Sequence, residues 1–350
     1  MKDKLIIALK VFISLGLMAY FFYLFLSDPV KRTVFLASFA TADYGYWLLA
    51  LGFFVLAILS NALKWQILLK AQGVKIPFWR GTTNITFIGF FFTNFLPGNV
   101  GGDVMRGFSL ARYTDRNADA AVSVVVDRVI GIMAFMFTGV LAAFTAVQLV
   151  AIGQARGMIA ADERLAQNLT QVEIVASMVM LGIIGIFGVM LSHRLRLLVG
   201  QFFKIKFLRP LGPIYQQLSE AFGAYRYQYR ALLLAFLVGL ANPLLTGLVD
   251  LAILAGLHEQ VNPLYIFLFN PIIATLLIVP ISIGGLGTQQ ALYVYFYGLV
   301  GVPATTAFAL ALIKQVIIYL GSLPGGFLWW QKQKAPERAA GQPMATVQVE

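Results

Sequence analysis

The sequence predicts an all-α, polytopic integral membrane protein: about six full transmembrane helices plus two re-entrant broken hairpins, laid out as an inverted repeat. Three observations carry this. Of the 350 residues, 59% are hydrophobic and only 12% charged, which is more apolar surface than one globular core can hide. The apolar runs are long and unbroken, so backbone polar groups are satisfied within helices and not between the short alternating strands of a barrel. Finally, 20 of the 26 Lys and Arg fall on one side of the resulting layout, as the positive-inside rule requires.

The first run, residues 5–26, follows Lys2 and Lys4. It is long enough to span and lacks a small-residue cleavage site near Ser27, so it reads as a retained anchor. Further spans are expected at residues 46–63, 120–152, 174–191, 231–257 and 304–330. Two apolar stretches do not fit as spans. Residues 82–96 run into Pro-Gly-Asn-Val-Gly-Gly, and residues 264–279 run into Pro-Ile-Ser-Ile-Gly-Gly-Leu-Gly. Each is read as a helix that enters the membrane, breaks at Pro and Gly, and returns. With these hairpins, both termini and the loop at 193–230 lie on the Lys/Arg-rich, cytoplasmic side. Only Lys31, Arg32, Arg156 and Arg164 lie outside, and Arg128 and Lys314 fall within spans. Two full double crossings in place of the hairpins would leave the sidedness unchanged.

Span, span, broken hairpin, span is the order in both halves, residues 1–165 and 166–331. The first half starts inside and the second outside, which implies an in-plane pseudo-two-fold axis of the kind secondary transporters use. Two Pro/Gly-broken helices arising by coincidence is the plain alternative. Residues 193–230 mix Arg and Lys with Phe and Tyr, which suits either a stretch along the anionic inner leaflet or a solvated, topology-setting loop. The tail, 332–350, is polar and too short for a domain.

Composition removes several function classes. With no Cys in the chain, disulfides, thiolate metal sites and cysteine nucleophiles are excluded. His193 and His258 share no metal-binding spacing, and no Gly-rich nucleotide loop is present, so no metal or cofactor is expected. The net charge of +11 sits beside apolar runs and not on a folded basic face, so no nucleic-acid partner is expected.

The segment from Asn94 to Arg106, Asn-Phe-Leu-Pro-Gly-Asn-Val-Gly-Gly-Asp-Val-Met-Arg, is the most informative. Its glycines, Gly101 and Gly102 among them, allow a sharp reversal, and the helix that follows offers free N–H groups to an anion near Asn99, with Arg106 one turn in. Asp103 opposes a phosphate there and can pair with Arg106 at i,i+3. A purely structural turn fits the local pattern equally. Asp127 and Arg128 lie about eight residues inside their span, roughly 12 Å of helix, and point about 100° apart. Lys314 and Asp250 are also deep. Ionisable groups at such depth cost a few kcal/mol each and face a bundle interior or a polar cavity. Structural pairing, for example Asp250 with Lys314, is the competing account. In the second hairpin Gly284 and Gly285 repeat the glycine logic without charge, and Ser282 or Thr288 can cap the half-helix.

Leu-Pro-Gly-x-x-Gly-Gly-Asp at residues 96–103, Asp127-Arg128 followed by Gly131, and Gly-Gly-Leu-Gly at 284–287 together resemble the lysylphosphatidylglycerol synthase transmembrane, flippase-like family, over nearly the whole chain. The resemblance implies movement of lipids or lipid-linked headgroups between leaflets of a bacterial inner membrane. Some members carry a soluble aminoacyltransferase domain behind the membrane part; this chain ends soon after its last span. The family often has Arg-Glu after Gly-Gly-Leu-Gly-x, where this chain has Gln289 and Gln290.

The expectation is therefore a translocase-like protein for an anionic phospholipid or polyprenyl-phosphate headgroup. Asn99, Gly101, Gly102, Asp103, Arg106, Asp127, Arg128, Gly284, Gly285, Gln290 and Lys314 form the candidate site, in a central cavity whose hairpins open to opposite sides. The rival readings are a membrane enzyme of lipid or glycolipid headgroups using Asp127 or Asp250 as a base, and a non-catalytic partner of a lipid or glycolipid synthase.

Overall fold

A computed structural model of the chain describes residues 2–95, 101–111, 117–155, 163–192, 194, 216, 223, 225, 227–279 and 281–334. Its regular elements are helical: α1 (Lys2–Leu26), α2 (Pro29–Ala40), α3 (Tyr44–Ala71), α4 (Asn84–Phe95), α5 (Gly101–Ala111), α6 (Asn117–Ala155), α7 (Glu163–Leu191), α8 (Tyr229–Gly239), α9 (Ala241–Gly256), α10 (Pro263–Leu276), α11 (Thr288–Gly298) and α12 (Ala304–Lys334). A π-helical turn, Phe78–Thr83, leads into α4.

The protein is an all-α polytopic membrane protein. Among the described residues five helical segments are long and apolar enough to cross a bilayer: Ala8–Leu26, Tyr44–Ala71, Val122–Leu149, Tyr229–Gly256 and Ala304–Gln333. The sixth expected span is helical as part of α7, but its described apolar stretch is the shorter Glu173–Gly182. The expected boundary between halves, 165/166, falls inside the first turn of α7, and α12 continues past residue 331 to Lys334. Most of 193–230 and all of 335–350 lie outside the described residues. Tyr225 of that loop is described; it is buried and its hydroxyl donates to the Leu68 carbonyl (3.2 Å).

Local chemistry explains the element ends. Helix α2, which the apolar runs do not announce, starts where Asp28 accepts from the N–H groups of Val30 (2.9 Å) and Lys31 (3.3 Å), with Pro29 in the first turn. The span α8–α9 breaks at Leu240, just before Pro243, which has no N–H to donate. The Ser60 hydroxyl donates to the Val238 carbonyl beside this break (3.3 Å) and the Asn242 amide donates to the Ala57 carbonyl (3.2 Å), so α3 satisfies polar groups that hydrocarbon could not.

Helix packing repeats between the halves. Helix α3 packs on α9; α4 packs on α12 as α10 packs on α6; α5 meets α6 as α11 meets α12. Exchanging the two sets of helices leaves these pairs in place. The largest core cluster joins Phe21 and Phe25 of α1 to Phe308 of α12, with the Phe25 and Phe308 rings 4.9 Å apart.

Glycines hold the hairpins close. A Cβ on Gly102 would collide with the Gly89 carbonyl and Thr93, so α4 and α5 cross backbone to backbone. Gly325 of α12 lies against the Phe87 carbonyl of α4 in the same way. Gly284, at φ +57°, has its Cβ position 2.7 Å from the Asn94 carbonyl, so the second hairpin's turn touches the end of the first hairpin's leading helix. Helix α1 covers that turn: the Ile283 N–H donates to the Ser14 hydroxyl (3.0 Å).

Gly325→Ala should therefore lower stability by about 1–3 kcal/mol through overpacking. Gly107→Ala, at a helical glycine whose Cβ would have no neighbour within 4 Å, should raise it by about 0.5–1 kcal/mol. Thermal unfolding of both variants in detergent checks this, and equal responses would remove the close-approach account.

Candidate functional site

The two hairpins and the spans that flank them line one cavity of about 320 Å³. Lys64, Asp103, Arg106, Asp127, Arg128 and Lys314 all reach it. Gly102, Gly284 and Gly285 form part of its wall, whereas Gly101 and Gln290 do not line it. Asn99 lies outside the described residues, as do Pro97, Gly98 and Pro280. The sequence reading expects a central cavity between the hairpins, and both hairpins line this one, with Gly284 against Asn94 at the end of α4.

At the first hairpin a chain of ion pairs runs through three helices. Lys64 on α3 pairs with Asp127 on α6 (3.2 Å), and its ammonium also donates to the Asp127 carbonyl (3.0 Å). Arg106 on α5 donates to the other Asp127 oxygen (2.9 Å) and pairs more loosely with Asp103 (3.5 Å). Arg128 donates to Asp103 (2.6 Å). The i,i+3 pairing of Asp103 with Arg106 that the spacing suggests is thus present, with Arg128 added to it. The Arg106 guanidinium also lies 4.2 Å from the centre of the Trp65 ring, a cation–π contact. Gly131 and Gly239 make room for Lys64: a Cβ on either would come within 3.0 Å of its ammonium or 3.3 Å of its stem.

The second hairpin has a matching pair. Lys314 on α12 pairs with Asp250 on α9 (2.8 Å) and donates to the Tyr293 hydroxyl on α11 (2.7 Å) and to Asn270 Oδ1 on α10 (3.2 Å). Tyr293 in turn donates to Asp250 (2.9 Å). The pairing of Asp250 with Lys314 that the sequence offers as the structural account is therefore made.

These two clusters occupy corresponding places. In each half a residue of the span before the hairpin pairs with one of the span after it, Lys64 with Asp127 and Asp250 with Lys314, with the charges interchanged. Asp127 and Lys314 are both the eleventh residue of their helices, Asn117–Ala155 and Ala304–Lys334. Arg106 and Tyr293 are both the sixth of Gly101–Ala111 and Thr288–Gly298, and each joins its half's ion pair.

Sequence reasoning misses Lys64. It counts this lysine among the cytoplasmic loop cations, yet Lys64 is 5% exposed and sits within α3, which runs on to Ala71. The available signal is its setting, since Leu63, Trp65 and Leu68 keep the stretch apolar around one charge. Arg106, counted on the same side, is likewise buried. Gln290 acts within its own helix, where its side-chain oxygen accepts from the Gly287 N–H (2.8 Å) and closes the first turn of α11. Thr288 bonds Ser282 across the turn instead of capping the helix itself (2.8 Å).

Both candidate bases, Asp127 and Asp250, are held by a lysine and a second donor. Such carboxylates serve as counter-charges, and leaving one unpaired is costly. Asp250→Asn should cost about 3–5 kcal/mol, and the double variant Asp250→Asn with Lys314→Met should recover most of that loss, since no buried charge is then left without its partner. Chemical or thermal unfolding in detergent measures both, and a double variant no more stable than the single one would refute the pairing.

The family described as the lysylphosphatidylglycerol synthase TM region matches residues 7–325. No match was found among curated proteins or among solved structures. With its helices, its broken hairpins and a family match running almost from end to end, the chain belongs to the lysylphosphatidylglycerol synthase transmembrane family, as a multi-pass integral membrane protein.

Proposed function

We propose that this protein is a lipid translocase of a bacterial inner membrane, with both termini cytoplasmic, that passes an anionic phospholipid or polyprenyl-phosphate-linked headgroup between leaflets. One observation supports this above the others: among the described residues, the cavity where the two hairpins meet carries more cationic than anionic side chains. Around the first hairpin Lys64, Arg106 and Arg128 face Asp103 and Asp127, and around the second Lys314 faces Asp250. Cations thus outnumber carboxylates among the described side chains, in a setting where charge is costly, and a headgroup phosphate would add counter-charge. Arg128 is the cation best placed to meet it, with 30% of its side chain exposed against 6% for Arg106 and 8% for Lys314. The acyl tails remain in the bilayer while the head crosses. The two matched halves offer the alternating access such a path requires.

The test is movement of labelled lipid in proteoliposomes. Arg128→Ala should slow it about tenfold, the worth of one charge-assisted hydrogen bond to phosphate, and Lys314→Ala should also slow it, while both variants still insert. Unchanged rates in both would return these residues to a structural role, and chemical alteration of the lipid in place of movement would favour the enzyme reading.

Sidedness has its own test, since the chain has no native Cys. Single cysteines at the exposed positions Lys75 and Tyr227 should react with an impermeant reagent only from the cytoplasm, and those at Lys31 and Gln260 only from outside. Any reversal within either pair would overturn the layout with hairpins entering from opposite faces.

A further inference from the structure

The cavity is not polar throughout. On α6 the lining residues Arg128, Ile132 and Phe135 are spaced i, i+4, i+7, so they share one helix face, with the cation at one end and apolar side chains over the next two turns. On α10, Ala274 lines the cavity one turn after Asn270, and Ile278, just past the helix end, lies a further turn along. Ile132, Phe135, Ala274 and Ile278 are all half-buried.

These two strips flank one seam. Helices α6 and α10 pack together and meet at Gly139, where a Cβ would come 3.3 Å from Pro271. Every α6 residue of the lining precedes Gly139, and those of the α10 segment other than Asn270 follow Pro271. From that contact the two segments therefore part around an apolar groove that leads along α6 back to Arg128. Arg128 and Phe135 are seven positions apart, about 10 Å of helix. Leu276 and Val279, beside the α10 wall of the groove, are exposed, which places it at a face turned to hydrocarbon.

An apolar groove that ends on a cation has the division of polarity of a phospholipid, with charge at the head and hydrocarbon a short way from it. The volume agrees, since 320 Å³ is near the low end of the range of about 300–1,000 Å³ for small-molecule sites. That is room for a headgroup and the start of a chain, with the rest left in the bilayer. A soluble anion would leave the apolar wall uncovered.

We infer that the seam between α6 and α10 is an acyl-chain subsite of the headgroup cavity. A lipid enters sideways between these helices, its phosphate meets Arg128, and the first part of one chain lies on Ile132 and Phe135 against Ala274 and Ile278. The inference rests on the translocase reading for the phosphate at Arg128, and adds that the ligand is held through its chain as well as its head.

Quenching of a fluorophore by brominated lipid tests this. The chain has no native Cys, so bimane can be attached after Ile132→Cys or Ile278→Cys, with Leu141→Cys, an exposed position of α6 outside the cavity, as the reference for bulk lipid. The protein is held in nanodiscs of digalactosyldiacylglycerol, which has no phosphate, with a rising share of phosphatidylglycerol brominated near the headgroup end of its chains. Quenching at 132 and 278 should reach half its maximum at a share about tenfold lower than at 141, the worth of one charge-assisted hydrogen bond holding the lipid. Arg128→Ala should bring position 132 onto the 141 curve, and brominated diacylglycerol, with chains and no phosphate, should quench all three positions alike.

A half-quenching share equal to that of 141 at either position overturns the inference. So does a preference that survives Arg128→Ala or is matched by diacylglycerol. Relief of the quenching by water-soluble glycerophosphoglycerol at the same concentration makes the ligand a soluble phosphodiester, and the inference falls. Quenching reads binding alone, so an intact preference at 132 and 278 with no lipid movement in proteoliposomes overturns the translocase reading and leaves the subsite standing.

Discussion

A charge placed in hydrocarbon must bring its counter-charge with it, and much of the arrangement follows from that requirement. Lys64 and Asp127 tie the span before the first hairpin to the span after it, and Asp250 and Lys314 do the same around the second. Each pair crosses behind its hairpin, and the returning helix then adds a polar group of its own, Arg106 in one half and Tyr293 in the other. The hairpins are thereby held against a scaffold whose own charges are satisfied. Removing one member of a pair leaves a buried ion, which ties span packing and cavity shape to the same few contacts.

Close approach is the second condition, and it is met by glycine. Gly102 lets α5 lie on the backbone of α4, Gly325 lets α12 do so from the other side, and Gly284 brings the second turn against Asn94. Without a hydrophobic force between helices in lipid, contacts of this kind supply much of the packing. They also explain why the two broken segments share a cavity. The second turn meets the end of α4, so both hairpins line the same space.

The halves match in topology but not in charge. In the second, the returning helix brings a tyrosine to a single ion pair and the cluster is neutral. In the first, it brings an arginine, and Arg128 and Asp103 extend the network. On the translocase reading, a repeat that duplicates the scaffold has kept one side for an anion and left the other closed on itself.

Much of this was legible in the residues alone. Apolar runs marked the helices, because hydrocarbon forces the backbone to satisfy itself locally. The glycines at 101, 102, 284 and 285 marked the breaks, and the deep ions Asp127, Arg128, Asp250 and Lys314 marked where a cavity or a pairing must be. Periodicity did not reveal α2, whose start is written in Asp28-Pro29 and not in an apolar run. Nor did it place Lys64, since a lysine at the edge of an apolar stretch reads the same whether it ends a helix or is buried in one that continues. Local polarity along the chain thus dictates the membrane, the helices and their breaks. Which of the conceivable charge pairs form was settled by folding: Lys314 meets Asp250 across 64 positions, one of the alternatives the sequence leaves open, and Lys64 meets Asp127 across 63, a pair it does not suggest. Electrostatic energy in a low dielectric depends on distance in space, and sequence order carries no record of it.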